Sequence, residues 1–265
     1  MNPTERYAYR QWLDIKECQK YTVRLLANHK NIYKIHGTGV LVSVKNSKYL
    51  LTASHVVDKY DKLMIPLDSY NVMIPGGIVK FSLFEGNREN DSIDIAMIQL
   101  DSETIKELSP YYSFLPETSI LTKHNSQKSL FYTYLGYPST FSKLSHSKDS
   151  FHSRVFFQYN FQCDEEIYTK LNRSPKTNII IKYDKKNSLN TQAEIISVGP
   201  DLYGMSGCGL WFTDPMDIYS EIPNPKLVAI MTDWPIKNRK CVIGTKMDII
   251  MDSIKKEFTF ENPML

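Results

Sequence analysis

One pattern limits what this chain can become: short apolar segments closed by turn residues, repeated along nearly its whole length. YTVRLLA, IYKIHGTGVLVSV and KYLLTASHVV come first, and the polar KNSK between the last two reads as the turn of a hairpin. KLMIPL, VKFSLF, IAMIQL, SLFYTYLGYP, RVFFQYN, NIIIKY, AEIISV, CGLWFT, LVAIMT and CVIGTK follow, punctuated by Asp, Asn, Gly, Ser or Pro. Few helical stretches lie between them. That disfavours βαβ units and predicts an antiparallel sandwich or barrel. No repeat period emerges, and no linker sets off a separate domain.

Helices are expected at the two ends. After Pro3, the residues Tyr9, Trp12, Leu13 and Ile15 cluster near one side, and Glu5 sits early, where a negative charge suits a helix start. At the other end Met247, Ile250, Met251, Ile254 and Phe258 recur every three or four residues and define one apolar face, with Thr245 placed as a cap. Residues 139–192 are less regular. There STFSKLSHSKDSFHS and DKKNSLN read as polar loops around candidate strands, either ordered on the surface or moving over a site.

Composition removes several classes. With 265 residues, 42% of them hydrophobic, the chain is neither disordered, collagenous nor a small disulfide-held module. A chain of this size buries about 70 to 75% of the surface its unfolded form exposes. Its 32 Lys and Arg against 29 Asp and Glu leave a formal charge of +3 with both signs interspersed, so no specific nucleic-acid signal stands out. Glu5, Arg6, Arg10, Asp14, Lys16 and Glu17 interrupt the apolar run that a signal peptide needs, and no stretch of about 18 apolar residues occurs. The expectation is a cytoplasmic protein with no membrane association. Cys18, Cys163, Cys208 and Cys241 are widely spaced, without a C-x-x-C pair, and read as reduced thiols; no metal and no cofactor are expected.

Three short motifs carry chemistry. In GTGVLVSVKNSKYLLTASHVV, Gly37 and Gly39 allow close backbone approach, and the hairpin delivers His55 just beyond an apolar strand. In NDSIDIAMIQL, Asp94 starts a strand, where an inward carboxylate needs a partner such as a histidine Nδ1–H. Asp91, in the Asn90-Asp91-Ser92 turn, is the alternative acid. In GPDLYGMSGCGLW, Ser206 lies between Gly204-Met205 and Gly207, a setting that exposes a hydroxyl and points neighbouring amides at one substrate oxygen.

Taken together, T-A-S-H at His55, D-I-A at Asp94, G-Y-P at Gly136 to Pro138, G-M-S-G around Ser206 and the later LVAIMTDW resemble the chymotrypsin-like (trypsin-like) serine proteases. The resemblance is to their intracellular or bacterial branches without disulfides, and it spans roughly residues 30 to 245. It implies an all-β fold of two six-stranded antiparallel β-barrels with the active site between them. Residues 1–125 would hold the N-terminal helix and the first barrel with His55 and Asp94; residues 126–265 would hold the second barrel with Ser206 and the C-terminal helix. It further implies Ser206 as nucleophile, His55 as general base and then acid, Asp94 as the acid that orients the imidazole, and the amides of Gly204 and Ser206 as an oxyanion hole.

The sequence departs from the common G-D-S-G-G-P pattern of that family. Met205 stands where the usual acid precedes the nucleophile, so activation by a freed amino terminus is not expected. Control by a regulatory protein, by the 139–192 loops or by a narrow substrate range is expected instead. Cys208 and Gly209 replace Gly-Pro, and Cys208 reads as a small apolar filler behind the nucleophile. By the same resemblance Pro200, Asp201, Thr232, Asp233 and Trp234 form the substrate pocket. A carboxylate there would favour Lys or Arg, Pro200 argues against that, and Trp234 would close a small apolar pocket. His36 belongs to the first barrel or the cleft rim, while His29, His124, His146 and His152 lack any ligand-like pairing. The function expected is a serine endopeptidase acting on protein or peptide substrates. Two other readings stay open: a catalytically silent binding or scaffold protein, and a hydrolase of nonprotein esters or amides.

Overall fold

The computed structural model describes residues 3–29, 32–58, 63–82, 91–126, 128–145, 150–186, 188–189, 195–196 and 198–260. His146, the end of VKFSLF and part of AEIISV lie outside the described residues.

The chain opens with helix α1 (Pro3–Gln19) and then enters β1 (Thr22–His29), β2 (Ile32–Val44) and β3 (Ser47–Ala53). A single turn, α2 (Ser54–Val57), follows, then β4 (Leu63–Pro66), β5 (Val72–Met73), β6 (Gly77–Phe81) and β7 (Ile95–Leu100). Helix α3 (Ser102–Leu108) and β8 (Leu115–Pro116) complete this half. The strands form a curled sheet in the order β5-β4-β1-β2-β3-β7-β6, with the short β8 attached in parallel to β2 at Val42 and Ser43.

The second half contains β9 (Phe131–Gly136), β10 (Ser142–Ser145), β11 (Ser150–Ser153), β12 (Phe156–Phe161), α4 (Glu165–Lys170) and β13 (Asn178–Lys182). After the two-residue β14 (Ser188–Leu189) and β15 (Ile195–Ile196) come β16 (Gly209–Phe212), β17 (Lys226–Asp233), β18 (Cys241–Lys246) and helix α5 (Met247–Phe260). Six of these strands pair antiparallel in the order β12-β9-β16-β17-β18-β13. A bridge between Gln162, just past β12, and Ile181 in β13 joins the two ends of that order, so the second sheet closes on itself. That contact, with Cys163 N donating to Ile180 O at 2.8 Å, brings the two edge strands together at one end.

Each sheet wraps its own core. Val23, Leu25, Leu41, Leu50 and Ile98 fill the first, and Tyr132, Tyr134, Phe156, Ile179 and Val242 fill the second. A third cluster lies between the sheets, where Val40, Val42 and Leu51 meet Leu135, Phe157, Trp211 and Ile230. Ile15 and Cys18 of α1 and Met247, Ile250, Met251 and Ile254 of α5 join that same cluster. The terminal helices thus seal the seam between the two halves. On α5 the buried Met247, Ile250, Met251 and Ile254 have the spacing expected from the sequence, whereas on α1 the expected face is corrected: Tyr9 and Trp12 are exposed, and Ile15 and Cys18 are the buried apolar residues. Each fully buried aliphatic side chain contributes about 2 kcal/mol through its removal from water.

Two local expectations need correction. Thr245 does not cap α5: it is the fifth residue of β18, and its hydroxyl donates to the carbonyl of Ile93 at 2.6 Å. Helices α3 and α4 also stand where the sequence reading found only strands and loops. All four cysteines are free and buried, and among the described residues no helix is long and apolar enough to cross a membrane.

Candidate active site

His55 owes its position to the end of β3. The strand stops at Ala53, and Ser54 and His55 turn into α2, whose first two amides have no partner within the helix. Asp94, immediately before β7, supplies both acceptors. Its carbonyl accepts from Ser54 N at 3.0 Å, and its Oδ1 accepts from His55 N at 3.1 Å. Its other carboxylate oxygen lies 2.6 Å from His55 Nδ1. One residue therefore fixes the backbone and the ring of His55 together. The Asp94 side chain is 13% exposed and that of His55 is 42% exposed, so the imidazole presents its free edge to solvent while the acid stays covered.

Asp94 is held in turn. It has a φ of 46°, a left-handed backbone conformation that Asp tolerates better than most residues. The turn before it is pinned from the second sheet: Asn178 Nδ2 donates to Ser92 O at 2.9 Å, and Thr245 donates to Ile93 O. The other candidate acid, Asp91, is also buried, but it accepts from Ile93 N at 2.9 Å and from Ser82 Oγ at 2.8 Å and serves to shape this turn.

Ser206 lies at the same seam, on a turn between Pro200 and β16. Thr38 N of β2 donates to Ser206 O at 2.8 Å, which ties the turn to the first sheet. A Cβ on Gly37 would lie 3.3 Å from Ser206 O and 2.5 Å from a methyl of Val56, the residue after His55. The turn depends on Gly207, which has a φ of 90°; a Cβ there would sit 2.0 Å from Thr38 O and 2.2 Å from Thr52 Oγ1. Gly204 likewise has a φ of 91°. In this turn Met205 N donates to Leu202 O, Gly207 N to Met231 O and Cys208 N to Met205 O. The amides of Gly204 and Ser206, by contrast, donate to no acceptor among the described residues. Two free amides on either side of Met205 are what an anionic oxygen requires.

Met205 and Cys208 point into the second core with no exposed surface. The Cys208 Sγ lies 3.6 Å from Met231 Sδ, and burial pushes its thiol well above the ordinary range. A neutral packed thiol, not a thiolate, occupies the space behind Ser206.

The five residues expected to form the substrate pocket separate into different environments. Asp201 faces outward and pairs with Lys185 Nζ at 2.8 Å. Pro200 is buried, and its carbonyl accepts from the Tyr183 hydroxyl. Thr232 is buried, with its hydroxyl 3.5 Å from Ile243 O. Asp233 lies 3.7 Å from Arg173 Nη2 and within electrostatic reach of His55 and Asp94. Partial burial raises its carboxyl above the ordinary value, against the opposing pull of Arg173 and His55. Trp234 packs edge-on against Tyr183 and Tyr203, with ring centroids at 6.1 and 5.5 Å, and the Arg239 guanidinium sits 4.7 Å above it. Sequence reading missed Tyr183, Tyr203, Arg239 and Arg173. Only Tyr203 lies inside a recognisable motif, while the other three reach the site through tertiary contacts with no local signal.

Among the remaining histidines, His36 is half-buried in β2. His124 contacts the Tyr132 hydroxyl at 2.9 Å and packs on Phe212, and burial lowers its pKa.

No protein-family model matches the sequence, and no curated protein matches it either. Solved structures do match the fold. Mouse neuropsin, a serine protease expressed in the limbic system of the brain, aligns over 91% of this chain and 95% of its own, with a TM-score of 0.57 and 14% identity. The protease Anisep from Arthrobacter nicotinovorans covers 88% of this chain and 93% of its own at a TM-score of 0.54 and 13% identity. A thermostable serine protease, AL20, from an extremophilic microorganism covers 92% and 98% at a TM-score of 0.56 and 11% identity. The chain accordingly has the two-barrel fold of the chymotrypsin-like serine proteases.

Proposed function

We propose that this protein is a serine endopeptidase that works through an acyl-enzyme, with Ser206 as nucleophile, His55 as general base and acid, and Asp94 as the orienting acid. The observation that carries the reading is the double grip of Asp94 on the backbone amide and the Nδ1 of His55. That grip assigns the proton to Nδ1 and leaves Nε2 with a lone pair. A serine hydroxyl is unreactive near neutral pH until such a base takes its proton.

In this mechanism Ser206 Oγ attacks the substrate carbonyl carbon as His55 Nε2 takes the hydroxyl proton. The carbonyl oxygen becomes anionic and accepts from the amides of Gly204 and Ser206, which donate to no acceptor among the described residues. Loss of one such donor costs on the order of 100-fold to 1000-fold in turnover. The protonated imidazole, stabilised by Asp94, then donates to the leaving amine; water attacks the acyl-enzyme with His55 again as base. Four buried thiols suit a reducing, cytoplasmic setting. Protein or peptide substrates and control by a partner protein belong to the same reading.

A serine-directed alkyl fluorophosphonate tests the chemistry. The expected result is time-dependent labelling at Ser206, abolished in S206A and slowed at least about 1000-fold in H55A. A folded protein that never labels would be a binding or scaffold protein on a protease fold. Profiling of new peptide termini in a denatured proteome, beside an ester library, separates substrate classes: termini absent with S206A support the endopeptidase, and ester turnover without them overturns it.

A further inference from the structure

Residues 207 and 208 pair with Met231 in antiparallel fashion: Gly207 N donates to Met231 O, and Met231 N donates to Cys208 O. From that point the chain runs back through Ser206 to Pro200 on one side and forward through Thr232 to Trp234 on the other. The two segments leave that pairing as two lips, one carrying Tyr203 and the other Trp234. Under the acyl-enzyme reading, on which this inference rests, the gap between the lips is the slot that receives the side chain of the residue donating the attacked carbonyl.

Aromatic rings already span it. Trp234 reaches across from one lip to Tyr203 on the other, and its far side meets Tyr183. The Tyr183 hydroxyl is bonded to Pro200 O, so this ring is tied to the base of the slot. At the mouth Arg239 holds Trp234 twice: its carbonyl accepts from Trp234 Nε1 at 3.2 Å, and its guanidinium lies over the indole. The same guanidinium donates to the Tyr203 hydroxyl at 3.0 Å, which clasps the second lip to the first. Each carboxylate on the two lips already faces a cation, Asp201 with Lys185 Nζ at 2.8 Å and Asp233 with Arg173 Nη2 at 3.7 Å, so neither is left unpaired for a basic side chain.

We infer that Trp234, braced by Tyr183, Tyr203 and Arg239, plugs the slot and restricts the residue on the acyl side of the cleaved bond to glycine, alanine or serine. A bulkier side chain must displace packed rings and break the Arg239 clasp. Misfits of this kind discriminate by about 100-fold.

Peptidyl diphenyl phosphonates that differ only in the acyl-side residue, compared with the alkyl fluorophosphonate, provide the test. Wild-type protein should be modified about 100-fold faster by the alanine reagent than by the phenylalanine or lysine reagent. In W234A the phenylalanine-to-alanine ratio should rise at least about tenfold, and in Y203A, altered at an exposed position and so independent of the fate of the Trp234 variant, at least about threefold. A wild-type preference for phenylalanine, leucine or lysine overturns the inference while leaving the acyl-enzyme reading intact; so does an unchanged ratio in folded W234A and Y203A. Failure of the fluorophosphonate itself to label Ser206 overturns both.

Discussion

Asp94 concentrates three functions in one residue: an uncommon backbone conformation, a cap on two amides of α2 and a short contact to His55. The first two were not visible in the sequence, but the third was partly legible, because D-I-A-M-I runs a carboxylate directly into an apolar strand whereas Asp91 belongs to a polar turn. Asp233 illustrates what a sequence cannot carry, since its neighbour Arg173 is remote in the chain and comes from the loop after α4. Burial raises the Asp233 carboxyl above its unfolded value, so the associated stability is fully present below about pH 4 and is lost as pH rises through the folded pKa. By neutral pH the ionised carboxylate opposes folding. Asp233→Asn should therefore raise the midpoint of thermal unfolding at pH 7, with the gain over wild type shrinking as the pH is lowered toward 4. Scans at several pH values in one buffer series check this, and a gain that grows in acid would contradict it.

Among the elements, the strands were the most legible, because alternation and turn residues are local signals and each barrel needs many of them. Short helices were not. Helix α3 has a genuine start signal, Asp101 accepting from Thr104 N at 2.8 Å, yet its seven residues give too little length for a 3.6-residue period to emerge. Thr245 misled for the opposite reason: a threonine two residues before a helix is a good cap on paper, but β18 runs through it and turns its hydroxyl to the Ser92–Asp94 turn. Helix α1 carries a buried ion pair that its amphipathic pattern did not advertise. Arg10 Nε meets Asp14 Oδ1 at 3.1 Å, and Arg10 Nη1 donates to the carbonyls of Ser220 and Ile222 at 2.8 Å. Burial still raises the Asp14 carboxyl despite Arg10, a sign that desolvation outweighs the attraction. Arg10→Ala should thus cost about 3 kcal/mol in urea denaturation, since it leaves the buried Asp14 carboxyl without its cation and with the Thr213 hydroxyl as its remaining donor, and adding Asp14→Ala should recover part of that loss. Additive losses in the double mutant would show that the pair acts as two separate contacts.

At the scale of the whole molecule, the sequence predicted two barrels but not how they are fastened. Register and contact across a seam join residues far apart in the chain, and no local pattern encodes them. Thr38 to Ser206, Asn178 to Ser92 and Thr245 to Ile93 are the fastenings nearest the site, and the last two hold the turn that orients Asp94. Thr245→Val keeps the shape of the side chain but leaves Ile93 O without this donor. It should destabilise the protein by about 1 to 2 kcal/mol and slow fluorophosphonate labelling of Ser206 severalfold, even where the protein remains fully folded. An unchanged labelling rate in that variant would mean that the turn keeps its shape without help from the second sheet.

Those fastenings also impose an order in time. A chain growing from its amino terminus has made His55 and Asp94 long before it makes Asn178, Ser206 and Thr245. The clamp on the Ser92–Asp94 turn is therefore completed only when β18 has been synthesised and has docked. A nascent or prematurely terminated polypeptide carries most of the parts but not their alignment. Any fragment that stops short of β18 lacks the Thr245 hydroxyl that holds Ile93, and with it one of the two contacts that set the turn leading into Asp94.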